Sequence, residues 1–448
     1  MNRAIPVVLG AALLVLACCS LLAARVEIAK TYDLEYRVVE QPISAEQGYA
    51  VGGRASVSSA DRVSEELRAE PKYASKRVHR GFVQLKRGKD ATFALVLDAA
   101  NGQGPPYDRL YLDANNDEDL TNDPVIEAAD VTVPEEGYTT TFFPPVTLGI
   151  PKQSGGPYAV ALMGYYVKEC PGCGQEHEGV AVSGACYWEG RARFGDQERR
   201  VVLLDGDCNG LFDERNPSTL EDMYGYGGDQ IIILPDADEP VEMSADLLAR
   251  ATPLTRYVQA GKSFYEIRPA ASGASLRVYT RRVPTGTIRV NATGYRLQFV
   301  GEHGPVVVES DERESCLPVG KYRLREQAIR RTDAEGRLWE VQTSPQIMYR
   351  ELTIETEALG RRPSRSTRGV LEVTADSVLE IPAFGPPLVM SLGASPQEDE
   401  VYISLSLAGE NGDRVTSVTV NGERPPAPDF QIVSAAGKVI AQDQLEYG

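Results

Sequence analysis

The chain is poor in the residues and motifs that most often carry catalysis. It has only three histidines, His79, His177 and His303, and none belongs to an H-E-x-x-H pattern. No G-x-S-x-G elbow, P-loop or strand-following G-x-G-x-x-G is present. His79 lies in the basic run 76–80, where we expect a solvated strand residue. The motifs therefore give no catalytic residue, although 64 acidic residues leave a carboxylate-pair glycosidase open.

Positive charge and tryptophan are also scarce. There are 46 basic and 64 acidic residues, a formal net charge of −18. This balance excludes nucleic acid as an expected partner, because such binding needs a basic face that displaces counterions from phosphate. With only two tryptophans, Trp188 and Trp339, a carbohydrate-stacking platform has no support. The acidic excess instead favours a soluble protein that attracts cations.

Only one long apolar run exists, and it is N-terminal. Met1-Asn2-Arg3 precede an apolar stretch from Ala4 to Ala24, the pattern of an export signal. The segment ending at Cys18 resembles a bacterial lipoprotein box, in which Cys18 is lipidated, but the run is also long enough to remain as a membrane anchor. We therefore expect residues 1–25 to be an export signal or membrane anchor. The remainder is expected outside the cytosol: periplasmic, secreted or membrane-anchored facing outward.

Helical periodicity is scarce after this run, and short apolar or alternating runs bounded by Gly, Pro, Asn and Asp predict strands and turns. The fold class is mainly β, and 448 residues exceed one hydrophobic core. We expect several small β-sandwich-like domains. After the N-terminal segment these are 26–150, with an acidic loop at 113–123; 151–284, with a cysteine cluster and an acidic loop at 205–213; 285–369; and 370–448, an immunoglobulin-like sandwich.

The loop from Asp205 to Asp213 has the clearest chemistry. Oxygen-bearing side chains occupy its positions 1, 3, 5 and 9, and Gly210 occupies position 6, where a sharp turn is needed. Calcium takes six to eight oxygen ligands, and alternate residues of a tight loop can converge on one ion. An Asx-rich hairpin turn without metal is the alternative.

This loop resembles the calcium loops of the EF-hand and dockerin type. It is more similar to the strand-flanked loops of integrin-type β-propeller repeats, because a strand precedes it and Asn216 replaces the bidentate Glu of an EF-hand. The whole chain resembles uncharacterised secreted bacterial β-rich proteins with such loops. The resemblance implies calcium held by Asp205, Asp207, Asn209 and Asp213, and by the carbonyl of Leu211.

A second acidic loop runs from Asp113 to Asp123 and also follows a strand-like run. Its candidate ligands are Asp113, Asn115, Asp117, Asp119 and Thr121. Glu118 replaces the glycine, and a positive φ there costs roughly 1 kcal/mol. The carboxylates of this turn repel one another unless a cation lies among them. Two strands that each end in Leu-Asp about ninety residues apart suggest related halves in the region 72–284.

The cysteines of the central region form a third candidate site. Cys170, Cys173, His177 and Cys186 have the look of a zinc knuckle. In an exported chain we prefer a disulfide, either Cys170 to Cys173 or one of them to Cys186. Free or redox-active thiols remain a third possibility, although no βαβ pattern is evident.

Taken together, these patterns predict an exported, non-enzymatic, calcium-binding structural or cell-envelope protein. One alternative is a surface adhesion or scaffolding module that holds a protein partner through the C-terminal sandwich. The other is a hydrolase with an acidic site at Asp113 or Asp205.

Overall fold

The computed structural model describes most of the chain between residues 29 and 445. The described ranges are 29–44, 48–59, 63–85, 91–132, 137–150, 157–169, 174–220, 222, 227–344, 369–375, 377–381, 388–397, 400–409 and 414–445. The expected export signal or anchor at 1–25 lies outside them, as do Cys170 and Cys173. No helix within these ranges is long and apolar enough to cross a membrane.

The predicted mainly β class is confirmed, and the described ranges contain strands throughout and two short helices. Up to residue 284 the elements are β1 (Ala29–Asp33), β2 (Glu35–Val38), β3 (Ser56–Ser59), α1 (Val63–Glu66), β4 (His79–Gln84), β5 (Thr92–Asp98), β6 (Arg109–Leu112), β7 (Ile126–Glu127), β8 (Asp130–Thr132), β9 (Tyr138–Leu148), β10 (Tyr158–Val167), β11 (His177–Gly184), β12 (Cys186–Phe194), β13 (Gln197–Leu204), β14 (Gln230–Leu234), α2 (Ala245–Ala249), β15 (Thr252–Pro253), β16 (Tyr257–Ala260), β17 (Ser263–Pro269) and β18 (Ser275–Tyr279).

The later elements are all strands. They are β19 (Thr285–Val290), β20 (Tyr295–Gly301), β21 (Gly304–Ser310), β22 (Glu314–Pro318), β23 (Gly320–Thr332), β24 (Leu338–Ser344), β25 (Leu371–Val373), β26 (Val378–Ile381), β27 (Leu388–Gln397), β28 (Glu400–Gly409), β29 (Arg414–Val420), β30 (Asp429–Val433) and β31 (Val439–Gln444).

The first two sandwiches have the same sheet composition. In the first, a five-stranded sheet in the order β3-β4-β5-β6-β7 packs on a four-stranded sheet, β11-β10-β9-β8. In the second, β15-β14-β13-β12-β2 packs on β1-β18-β17-β16, and the N-terminal segment supplies the edge strands β1 and β2. One continuous apolar cluster, from Leu34 to Val278, includes residues of all four sheets. The expected boundary at residue 150 falls between β9 and β10, which pair with each other, so the first sandwich continues to Gly184.

A third sandwich has its own core. The sheet β22-β19-β26 and the strands β20, β21 and β23 enclose a cluster that includes Tyr295, Phe299 and Tyr322. The strands β25 and β26, which the sequence groups with the C-terminal sandwich, pair instead with β23 and β19. Val373 and Ile381 on these strands are buried in this core.

The C-terminal strands extend the third sandwich or stand apart. β29, β28 and β27 continue its larger sheet beyond β24, and β30 and β31 form a separate hairpin. No described side chain between 388 and 445 is buried. The immunoglobulin-like sandwich expected for 370–448 therefore stays a prediction.

Candidate metal centre

The strand β13 delivers the first carboxylate of the 205–213 loop into the protein. Its last four residues, 201–204, are fully buried between β12 and β14. Asp205 directly follows the end of the strand and is only 1% exposed. A buried carboxylate must be compensated by hydrogen bonds or by a cation.

Backbone N–H groups of the loop surround Asp205. Its Oδ1 accepts from the N–H of Asp207 at 3.0 Å and of Cys208 at 2.7 Å, and its Oδ2 accepts from Gly210 at 2.6 Å. Gly210 has a φ of 75°, which confirms the left-handed turn predicted at the sixth position, and Cys208 has a φ of 59°. Since β-carbon-bearing residues seldom adopt this conformation, glycine is the natural residue at position 6.

A residue outside the predicted ligand set completes the centre. Asp229 lies just before β14 and is fully buried. Its Oδ1 accepts from Gly206 N–H at 3.2 Å, and its Oδ2 accepts from Glu214 N–H at 2.7 Å. Ligand oxygens of Asp205, Asp207 and Asp229 all lie within 4.8 Å of one another, and this is the one such group in the described part of the chain.

A close contact between two backbone segments brings Asp229 to the loop. A Cβ on Gly206 would lie 1.9 Å from the carbonyl oxygen of Gly228, so residue 206 must be glycine for the segments to touch. The loop pattern does not predict Asp229 as a ligand. Its local signal in the sequence is the run Gly-Gly-Asp at 227–229, directly before a buried strand.

The electrostatics of the centre favour a cation. Burial, and then the charge of Asp205, raise the pKa of Asp229 to about 9. Burial, and then the charge of Asp207, raise the pKa of Glu214. No described lysine or arginine forms an ion pair with Asp205 or Asp229, so only backbone N–H groups offset the repulsion between the two carboxylates.

The remaining predicted ligands lie around this group with different roles. Asn209 Oδ1 accepts from Leu211 N–H at 2.6 Å, and its amide donates to Glu214. Leu211 is half-buried and Asp213 is exposed. The group of three carboxylates does not include Asp213. Glu214, the next residue, lies beside Asn209 instead.

The loop at 113–123 repeats this backbone design. Asp113 is 2% exposed at the end of β6, and its two oxygens accept from the N–H groups of Asp117 and Glu118, each at 3.0 Å. Asn116 and Glu118 have φ values of 58° and 66°, at the same loop positions, 4 and 6, as Cys208 and Gly210. The positive φ predicted at Glu118 is thus confirmed.

The other candidate ligands of this loop bind mostly within it. Asn115 Oδ1 accepts from Asp117 N–H at 3.0 Å, and Asp119 Oδ1 accepts from Thr121 N–H at 2.9 Å. The Thr121 hydroxyl also bonds Asp119 and lowers the pKa of that carboxyl. Asp123, missed by the sequence pattern, has a pKa raised to about 6 by burial and by Asp113.

The structure separates two of the four predicted zinc ligands, and the other two, Cys170 and Cys173, lie outside the described residues. His177 is exposed at the start of β11, whereas Cys186 is buried at the start of β12, and the whole of β11 separates them. An eight-residue strand spans about 26 Å, so one ion cannot bind both. Cys186 and Cys208 are free thiols, and burial raises the pKa of each to about 12. The disulfide considered for Cys186 is therefore not formed.

The environment of His79 also differs from expectation. The sequence predicts a solvated strand residue, but the side chain of His79 is 6% exposed and lies between the two sheets of the first sandwich. In β4 the side chains alternate between the two faces, so Arg80, the next residue, faces away from His79.

Comparisons with protein-family models, with curated proteins and with solved structures found no match for this chain.

Proposed function

We propose that this chain is an exported structural protein whose second sandwich is stabilised by calcium bound at Asp205, Asp207 and Asp229. The observation that carries the proposal is the meeting of three carboxylates, with ligand oxygens within 4.8 Å of one another, at a largely buried point. Hard oxygen donors suit calcium, and an ion there offsets the burial and the repulsion from Asp205 that raise the pKa of Asp229.

Such an ion contributes directly to folding. It links the end of β13 to the start of β14 through Asp205 and Asp229. Because the unfolded chain holds no such site, the free energy of calcium binding adds to the free energy of unfolding. Extracellular calcium modules bind with dissociation constants of about 10⁻⁴ to 10⁻³ M, which suits a structural ion outside the cytosol.

Calorimetry with calcium and with a chelator tests the proposal. We expect millimolar calcium to give binding heat and to raise the melting temperature of the wild type by more than that of Asp205→Asn. Asp196→Asn is the matched control, because it removes the same charge from an exposed turn at the opposite end of the β12–β13 hairpin. An unchanged melting temperature without binding heat would sink the proposal.

A second candidate function, surface adhesion or scaffolding, has one observation in its favour. Met390, Leu392 and Tyr402, on β27 and β28, are 54–68% exposed, which is unusual for large apolar side chains on a sheet. If these strands hold a protein partner, removal of residues 388–445 abolishes attachment and leaves calcium binding intact. If the deletion removed both attachment and calcium binding, the assignment of attachment to the C-terminal strands would be contradicted.

A further inference from the structure

Three polar side chains from three strands form a chain of contacts in the first sandwich, outside the acidic loops. Ser59 ends β3, His79 begins β4, and Glu178 lies on β11 of the facing sheet. Ser59 Oγ lies 3.3 Å from His79 Nε2, and His79 Nδ1 lies 3.3 Å from Glu178 Oε1. The hydroxyl, the two nitrogens of one imidazole ring and the carboxylate are thus connected in series.

The strand register explains why Ser59 and His79 meet. Ser59 pairs directly with Gly81, and His79 is two residues from Gly81 on the same face of β4. Diagonal neighbours on one face of an antiparallel pair are within reach of long side chains. Gly81 itself has no side chain, so nothing from the directly paired position covers the Ser59 hydroxyl.

The partners of Glu178 determine which nitrogen of His79 carries the proton. Its carboxylate accepts from the Arg77 guanidinium at 2.7 Å and from the Tyr107 hydroxyl at 3.0 Å. The His79 contact, followed by those of Tyr107 and Arg77, lowers the pKa of Glu178 despite its burial, so the carboxylate is ionised. An ionised carboxylate only accepts, so Nδ1 of His79 is the donor, and in the neutral ring Nε2 is left as the acceptor facing Ser59.

We propose that Ser59, His79 and Glu178 form a nucleophilic triad that hydrolyses small carboxylic esters. His79 Nε2 is the general base for the Ser59 hydroxyl, and Glu178 holds the ring in the required tautomer and orientation. Ser59 is exposed while His79 is 6% exposed, so the nucleophile is open to solvent and its base is shielded.

The reaction balances without any cofactor. Ser59 Oγ bonds to the ester carbonyl carbon as its proton passes to His79 Nε2. The tetrahedral adduct collapses with cleavage of the bond to the alcohol oxygen, which takes the proton from Nε2. Water then attacks the acyl-Ser59 ester, gives a proton to Nε2, and releases the carboxylic acid as Ser59 regains its proton. The sum is ester and water to acid and alcohol.

A fluorophosphonate probe tests the triad on the full chain, because this reagent phosphonylates activated serines and needs only a small site. We expect peptide mass spectrometry to locate the label on Ser59, and Ser59→Ala to abolish it. Ser58→Ala is the matched control: Ser58 is the exposed neighbour on the same strand, and its side chain is on the opposite face. It should be labelled at Ser59 as the wild type is.

Two further variants separate a catalytic triad from a structural hydrogen-bond chain. His79→Gln should slow labelling, and the hydrolysis of 4-nitrophenyl acetate, by about 100-fold or more, the usual contribution of a general base. Glu178→Gln should slow both while circular dichroism shows a folded protein. Absence of label on Ser59 in the wild type overturns the proposal. So does an unchanged labelling rate in folded His79→Gln.

Discussion

In the absence of divalent cations, Asp229→Asn should flatten the dependence of stability on pH. Burial and Asp205 raise the pKa of Asp229 to about 9 in the folded protein, from an ordinary value of 3.8. Between these two values the folded state binds one proton more than the unfolded chain. The free energy of unfolding therefore falls as pH rises, by about 1.4 kcal/mol per pH unit, and this loss ends only above pH 9.

From pH 6 to pH 8 the free energy of unfolding of the wild type should thus fall by about 2.7 kcal/mol because of Asp229 alone. Asparagine does not titrate, so the variant lacks this contribution. It also loses one of the two backbone hydrogen bonds that Asp229 accepts, which costs about 1 kcal/mol. That cost is the same at both pH values and leaves the difference in slope intact.

Urea unfolding at pH 6 and pH 8 with a chelator measures the effect. Trp188 is the natural reporter, because its ring lies 6.4 Å from that of Phe212 within the calcium loop. A Trp339→Phe background leaves Trp188 as the only tryptophan. Calcium at a hundred times its dissociation constant should then stabilise the wild type by about 2.7 kcal/mol, and the variant by less. Equal pH slopes in the two proteins would refute the reasoning.

Further predictions concern the loops and the buried thiols. Gly210 and Glu118 both have a positive φ, a conformation that favours glycine. Gly210→Ala should therefore lower the free energy of unfolding, and Glu118→Gly should raise it, each by up to about 1 kcal/mol. A change of the same sign in both variants would contradict this account. Phe212→Ala should lower the free energy of unfolding, measured in urea, by about 3–5 kcal/mol, because the ring is 1% exposed and packs against Tyr158 and Trp188. Iodoacetamide should modify the buried Cys186 and Cys208 thiols only after denaturation, as peptide mapping would show.

The local features of the metal centre could be predicted from the sequence, and the long-range one could not. The strand before Asp205 and the turn at Gly210 depend on residues within one loop. Asp229 is 24 positions away and arrives through strand pairing. Leu204 and Gln230 are the last pair between β13 and β14, so Asp205 and Asp229 occupy the next position on each chain. The sequence shows neither this register nor the contact at Gly206.

The burial of His79 could not be predicted from the sequence for the same reason. Its basic neighbours Lys76, Arg77 and Arg80 suggest a solvated run. In the sandwich, His79 instead faces the opposing sheet and meets Glu178, 99 residues away. Burial of a polar residue with partners from distant strands leaves no local trace, because each partner alone looks like an ordinary surface residue.

The two acidic loops have the same backbone design, but they bring different numbers of carboxylates together. In both, the first aspartate accepts the N–H of the sixth residue, and positions 4 and 6 have positive φ. Only the loop at Asp205 gains a carboxylate from another segment, Asp229, and only it has glycine at position 6. The loop at Asp113 gathers no such trio among the described residues and carries the strain of Glu118. Calcium should therefore enter the Asp205 loop first, and in a titration of Asp205→Asn the tighter of two binding steps should disappear.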